Sequence, residues 1–258
     1  EVEIPEWIEY WGGSVFAGTG LEELFLPNAD TYWGSHLFAE CDELKKVTFE
    51  KGFDFQRPEF GDWYCSGEFM FIACDKLEEV VFPKKMETMP DGIFQECPSL
   101  TKYTWPKGIR HLGWYPECRL EKVTCLPEGI ESIGSWCFNG CKGVDEFILP
   151  SGLKWIGSYA FYQSEIKRMI IPDSVEDIDK IAFFGCQKLK KIKFSSGMKD
   201  TPYDGCGGCG NLKTVIIPEG VEKIGSTFSN CGRLESVVLP ESVKEVGEHA
   251  FIRCKNLK

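Results

Sequence analysis

One constraint governs what this chain can fold into: a pattern that returns every 21 to 23 residues along most of its length. Phe71, Cys74, Leu77, Val80, Phe82 and Pro83 recur at the same spacing as Phe228, Cys231, Leu234, Val237, Leu239 and Pro240. After the proline a copy closes on two aliphatics and a glycine, as at Val221, Ile224 and Gly225. With the Phe position as marker, the copies sit at Phe16, Phe38, Phe71, Phe94, Tyr115, Phe138, Phe161, Phe183, Cys206, Phe228 and Phe251. The one long step, from 38 to 71, carries about ten extra residues near 50–65. A copy this short cannot bury a core alone, so successive copies must stack into a solenoid.

Within each copy, alternation places Val80 and Phe82 on one face of a short strand and Glu79 and Val81 on the other. Strands of successive copies then pair in parallel, one rung per copy, at about 4.8 Å per step, which gives a spine on the order of 50 Å. The proline removes a ladder donor and ends the pairing. The Val-x-x-Ile-Gly that follows is short and β-branched and predicts a second small strand or an extended segment rather than a helix. No stretch keeps helical periodicity for three turns.

The segment Leu77-x-x-Val80-x-Phe82 matches the leucine-rich-repeat strand signature. Together with Ile156-Gly-Ser-Tyr-Ala-Phe161 and Cys254-Lys-Asn-Leu257, it resembles the BspA-like leucine-rich repeats of bacterial surface proteins over essentially all 258 residues. The pattern departs at Thr19 and Ser164, which replace the Cys, and at Cys206, which replaces the Phe. The expected fold is a single right-handed, β-rich leucine-rich-repeat solenoid of about eleven copies over residues 1–258. It has a parallel sheet on its concave face, turns and short extended pieces on its convex side, and little helix. The chain opens at the strand end of one copy and stops at the strand start of another, so a fragment of a longer protein is expected.

Composition narrows the function classes. No run of apolar residues is long enough to span a membrane. A net charge of −11 disfavours nucleic acid and anionic membranes. Thirteen cysteines invite a disulfide or metal reading, yet nine of them occupy one repeat position. Stacked rungs hold such side chains nearly 5 Å apart and parallel, whereas a disulfide needs Cβ atoms at about 3.8 Å and converging. They read as buried thiols in a ladder. Cys206-Gly-Gly-Cys209 inherits its spacing from Phe-x-x-Cys, and Cys137 holds the position of Ala160, Ala182 and Ala250. His36, His111 and His249 lie in separate copies. No catalytic residue, metal site or cofactor is expected, and the chain reads as non-enzymatic.

Two surfaces remain. The outward strand positions form one column of mostly alternating charge, running Glu23, Lys46, Glu79, Lys102, Lys122, Glu146, Arg168, Lys191. A second column holds Phe25, Val81, Ile148, Ile170, Ile216 and Val238, interrupted by Thr48, Thr104, Thr124 and Lys193. An apolar stripe on a solenoid face is where partners dock; β-propensity alone is the competing explanation. The long step adds Phe53, Phe55, Phe60, Trp63 and Tyr64. Aromatics of this kind build binding hot spots, or fold back to cover the spine. The family resemblance implies a protein-binding module of a bacterial cell-surface or secreted adhesin. Its partners would be host matrix or cell-surface proteins, with no membrane insertion and a monomeric chain. The alternatives are a spacer that binds nothing and an enzyme whose catalytic part lies elsewhere.

Overall fold

The computed structural model describes residues 2–29, 31–53, 55, 67–84, 86–100, 102–103, 105–113, 126–142 and 145–258. Two compact units are present, Glu1–Arg119 and Leu120–Lys258. Each is a stack of parallel strands, and no described residue is helical.

In the first unit the long-strand ladder runs Glu23–Leu26, Lys46–Phe49, Glu79–Val81 and Lys102–Tyr103. The second unit carries Glu146–Phe147, Arg168–Ile170, Lys191–Lys193, Thr214–Ile216 and Ser236–Val238 in the same way. The register is the one the repeat demands: Val47 lies opposite Val80, Ile192 opposite Val215, and Val215 opposite Val237. The segment after the proline forms a second small strand rather than an unpaired extended piece. In the second unit Ser132–Ile133, Trp155–Ile156 and Asp177–Ile178 pair in parallel, as do Lys223–Ile224 and Glu245–Val246.

The marker side of each rung is a ladder too. Marker amides donate to the next rung, as from Phe16 to Leu37, Phe38 to Met70 and Phe161 to Ala182. So do the amides two residues before and two after it, as from Ile181 to Tyr203 and from Gln163 to Phe184. Bending the chain while aiming every second N–H along the stack takes left-handed residues at those two flanking positions. Accordingly φ is 58° at His36, 62° at Trp136 and 63° at Ile181 before the marker, and 55° at Glu40, 57° at Glu96 and 52° at Gln163 after it. Glycine takes the second position at Gly140, Gly185 and Gly208.

The core lies between these layers. Marker rings stack rung on rung, with centroids 5.1 Å apart for Phe16–Phe38, 5.5 Å for Phe38–Phe71 and 5.3 Å for Phe161–Phe183. Each such contact contributes about 0.5–1.5 kcal/mol beyond area burial. Cys206 interrupts the ring stack while remaining fully buried. The glycine of the Ile-Gly step has a packing cause: a Cβ on Gly157 would sit 2.6 Å from the Ser135 amide nitrogen of the preceding rung.

Candidate functional site

The strands sort their residues by face. Leu24, Val47, Val80, Phe147, Met169, Ile192 and Val215 point inward and are buried. Their neighbours Phe25, Val81, Ile148, Ile170, Ile216 and Val238 point to solvent, with Ile148 at 59% exposure and Val238 at 78%. Parallel pairing sets Ile170 beside Lys193, Lys193 beside Ile216 and Ile216 beside Val238. The second unit therefore presents a stripe of branched aliphatics crossed by one lysine, whose Nζ is 3.3 Å from Asp173. That carboxyl is held below its usual range by the Ser196 amide N–H, the Ser196 side chain and Lys193. In the first unit Phe25 lines a cleft of about 690 Å³ with Val2, Leu24, Lys46 and Thr48.

The charged column is present, with Lys46–Glu79 at 3.3 Å and Arg168–Glu146 at 3.9 Å. The shorter ion pairs lie at other register positions: Lys167–Asp145, Lys188–Glu165 and Lys76–Glu43, each at 2.6 Å. The lysine hydrogen bond from Lys45 lowers the Glu22 carboxyl, and Lys244 and Lys199 do the same to Glu222. Sequence reasoning passed over these pairs, although each joins residues about one repeat apart. Exposed pairs of this kind add little to stability and act mainly on register.

Two of the aromatic candidates require correction. Phe53 and Phe55 are buried at 1% and 5% exposure. They pack on each other at 5.0 Å and on Phe49 at 4.8 and 5.9 Å, and Phe53 also meets Trp33 at 5.7 Å. Both fill the core and present no surface to a partner. Apolar rings flanking a strand end lose more by staying wet than by folding back. Phe60, Trp63 and Tyr64 lie outside the described residues.

The cysteine ladder has a chemistry that its spacing concealed. Each thiol donates to the marker carbonyl of the preceding rung: Cys41 to Phe16, Cys74 to Phe38, Cys97 to Phe71, Cys186 to Phe161, Cys209 to Phe183, Cys231 to Cys206 and Cys254 to Phe228, all at 3.0–3.2 Å. Where the Cys is replaced, a hydroxyl joins the network. Thr19 donates to Phe16, and Ser164 lies 3.3 Å from the Cys186 sulfur. The Cys209 thiol and then burial raise Cys186, and burial first of all raises Cys206 and Cys209, above the ordinary thiol range, so these sulfurs stay protonated. Among the described residues the cysteines are free and no group of His, Cys, Asp or Glu is placed to hold a metal ion.

Stacked parallel rungs, an inward aliphatic strand face and a Phe–Cys turn define a leucine-rich-repeat protein. The model of the BspA type leucine rich repeat region matches residues 1–60, 64–116, 113–231 and 225–258, and the chain belongs to that family. A leucine-rich repeat protein of Bacteroides ovatus is similar over 98% of this chain at 28% identity and a TM-score of 0.64; the chain spans 58% of that protein. The pneumococcal vaccine antigen PcpA shares the fold at 18% identity and a TM-score of 0.50, over 93% of this chain and 66% of its own. No curated protein matches the chain.

Proposed function

We propose that this chain is a non-enzymatic protein-binding module of a bacterial cell-surface or secreted adhesin, with host matrix or cell-surface proteins as partners. The outward aliphatic column carries the contact. The supporting observation is that Ile148, Ile170, Ile216 and Val238 stay exposed on the solvent face of a ladder whose inward neighbours already fill the core. Branched side chains on a flat, hydrogen-bonded sheet are rigid, so their burial by a partner costs little side-chain entropy. Phe25 and its cleft offer the same chemistry in the first unit. Membership of the BspA type family supports a surface location. Among the described residues no helix is long and apolar enough to cross a membrane.

The test is saturable binding of the intact chain to immobilised matrix proteins and to whole epithelial and bacterial cells, beside an Ile148→Glu/Ile170→Glu variant. Saturable binding that the folded variant loses supports the reading. Absence of saturable binding on every surface contradicts it and favours a spacer.

A further inference from the structure

Two departures from the repeat meet on one face of the second unit. The rung marked by Phe161 lacks a residue between Ser164 and Ile166, and the rung marked by Cys206 carries Gly207 and Gly208 where its predecessor has Phe184 and Gly185. Between them lies a groove of about 370 Å³, lined by Gln163, Glu165, Phe184, Gln187, Lys188 and Gly208 among others. It belongs to the marker side of the rungs, apart from the outward strand column.

The groove combines two glutamine amides and an ion pair with one aromatic side chain. Phe184 stacks on Tyr162 at 5.9 Å, and a Cβ on Gly207 would come within 2.8 Å of its ring, so the glycine is what lets the ring lie there. Gln163 donates its amide N–H to the Tyr162 hydroxyl, and Gln187 donates to the Gly208 carbonyl at 2.7 Å. Each donation fixes a side chain and keeps its amide oxygen as an acceptor. Lys188 is engaged with Glu165 at 2.6 Å, so the groove offers no net charge to an anion or a cation. Gln163 also holds a left-handed backbone, at φ 52°, in a register position that glycine fills at Gly140, Gly185 and Gly208. The same left-handed geometry recurs at Glu40, Ala73, Glu96 and Asn230, so it belongs to the turn and sets only where the Gln163 side chain leaves the backbone.

We infer that this groove binds a neutral saccharide residue. Amide and backbone oxygens meet the hydroxyls, the half-buried Phe184 gives apolar contact at the groove's border, and the paired charges disfavour phosphate or carboxylate ligands. The size falls within the range of small-molecule sites. This site is independent of the outward column and of the protein partner proposed for it.

Ligand-observed NMR on the intact chain tests the inference, with methyl β-galactoside, methyl α-mannoside, maltotriose and chitotriose as neutral probes and sialyllactose as the acidic one. At least one neutral probe should saturate in the range from micromolar to about 1 mM. Gln187→Ala should weaken it about fivefold or more. Gln163→Gly should weaken it similarly while the melting temperature holds or rises by about 2 °C, because glycine relieves the left-handed strain. That pairing separates a lost contact from a lost fold. Ile148→Glu/Ile170→Glu should leave saccharide affinity unchanged. The inference is overturned if no neutral probe saturates below about 10 mM, if sialyllactose alone binds, or if both glutamine variants bind as the native chain does.

Discussion

The smallest unit of this fold is a thiol and the carbonyl it reaches. A marker carbonyl accepts the backbone N–H of its own repeat's Cys and the S–H of the next, as Phe183 does from Cys186 and Cys209. Cysteine suits the place because it combines an apolar body with a weak donor. Replacing Cys209 by alanine removes both, and should cost about 1–2 kcal/mol in urea unfolding. Serine keeps a donor there, as Ser164 does one rung away from Cys186, and should cost less; the opposite order would count against the hydrogen bond. The thiols also set an alkaline limit. The Cys41 thiol pulls Cys74 down, but the Cys97 thiol and burial outweigh it and push Cys74 up to about 12. Burial and then the Cys254 thiol push Cys231 up to about 12. Unfolded, both ionise near 9.0, so above that pH the unfolded state binds fewer protons than the native state. Stability from these two groups is therefore fully present below pH 9 and falls as pH rises toward about 12. The urea midpoint should drop between pH 8.5 and 11, less steeply in a Cys74→Ser/Cys231→Ser variant.

At the scale of the element, the turn around each marker depends on paired left-handed residues. Glu40 and Glu96 are exposed and sit at φ 55° and 57°. Glycine at either should stabilise the chain by a few tenths of a kcal/mol up to about 1, the strain relieved exceeding the extra chain entropy lost. Gly157→Ala should do the reverse, at a cost of about 1–3 kcal/mol, because its Cβ would strike the Ser135 backbone. Thermal denaturation reads both. Strand register, the inward and outward faces and the second small strand were all legible in the repeat, since each follows from side-chain period and a proline. The left-handed positions were not: they are set by where backbone amides must aim, and the sequence fills them with His, Trp, Ile, Glu or Gln. The burial of Phe53 and Phe55 was legible only as one of two alternatives, because the choice depends on the hollow beside Phe49 and Trp33. The groove at Gln163 was half legible. The shortened turn and the Gly-Gly pair were visible, but their convergence across rungs was not.

Across the whole molecule, stability is a sum over neighbouring rungs, because each rung touches chiefly the one before and the one after. Phe161→Ala removes a ring stacked on Phe138 and Phe183 and should cost about 3–5 kcal/mol. By hydrogen exchange its effect should be concentrated on rungs 132–194 and be small on strands Glu23–Leu26 and Lys46–Phe49; uniform loss of protection would show a single cooperative unit instead. Such a scaffold frees its outward positions from folding duty, which is the basis for assigning them a partner. One strand tests this separation directly. Met169 and Ile170 are adjacent, one fully buried and the other exposed. Melting temperature and partner affinity should be measured for Met169→Ala and Ile170→Glu, with affinity read well below both transitions. Met169→Ala should lower the melting temperature, at a cost of about 2–5 kcal/mol, and leave affinity intact. Ile170→Glu should keep the melting temperature and weaken binding tenfold or more, about 1.4 kcal/mol. Loss of stability in Ile170→Glu with affinity unchanged would contradict that separation, and would make the outward column part of the fold alone.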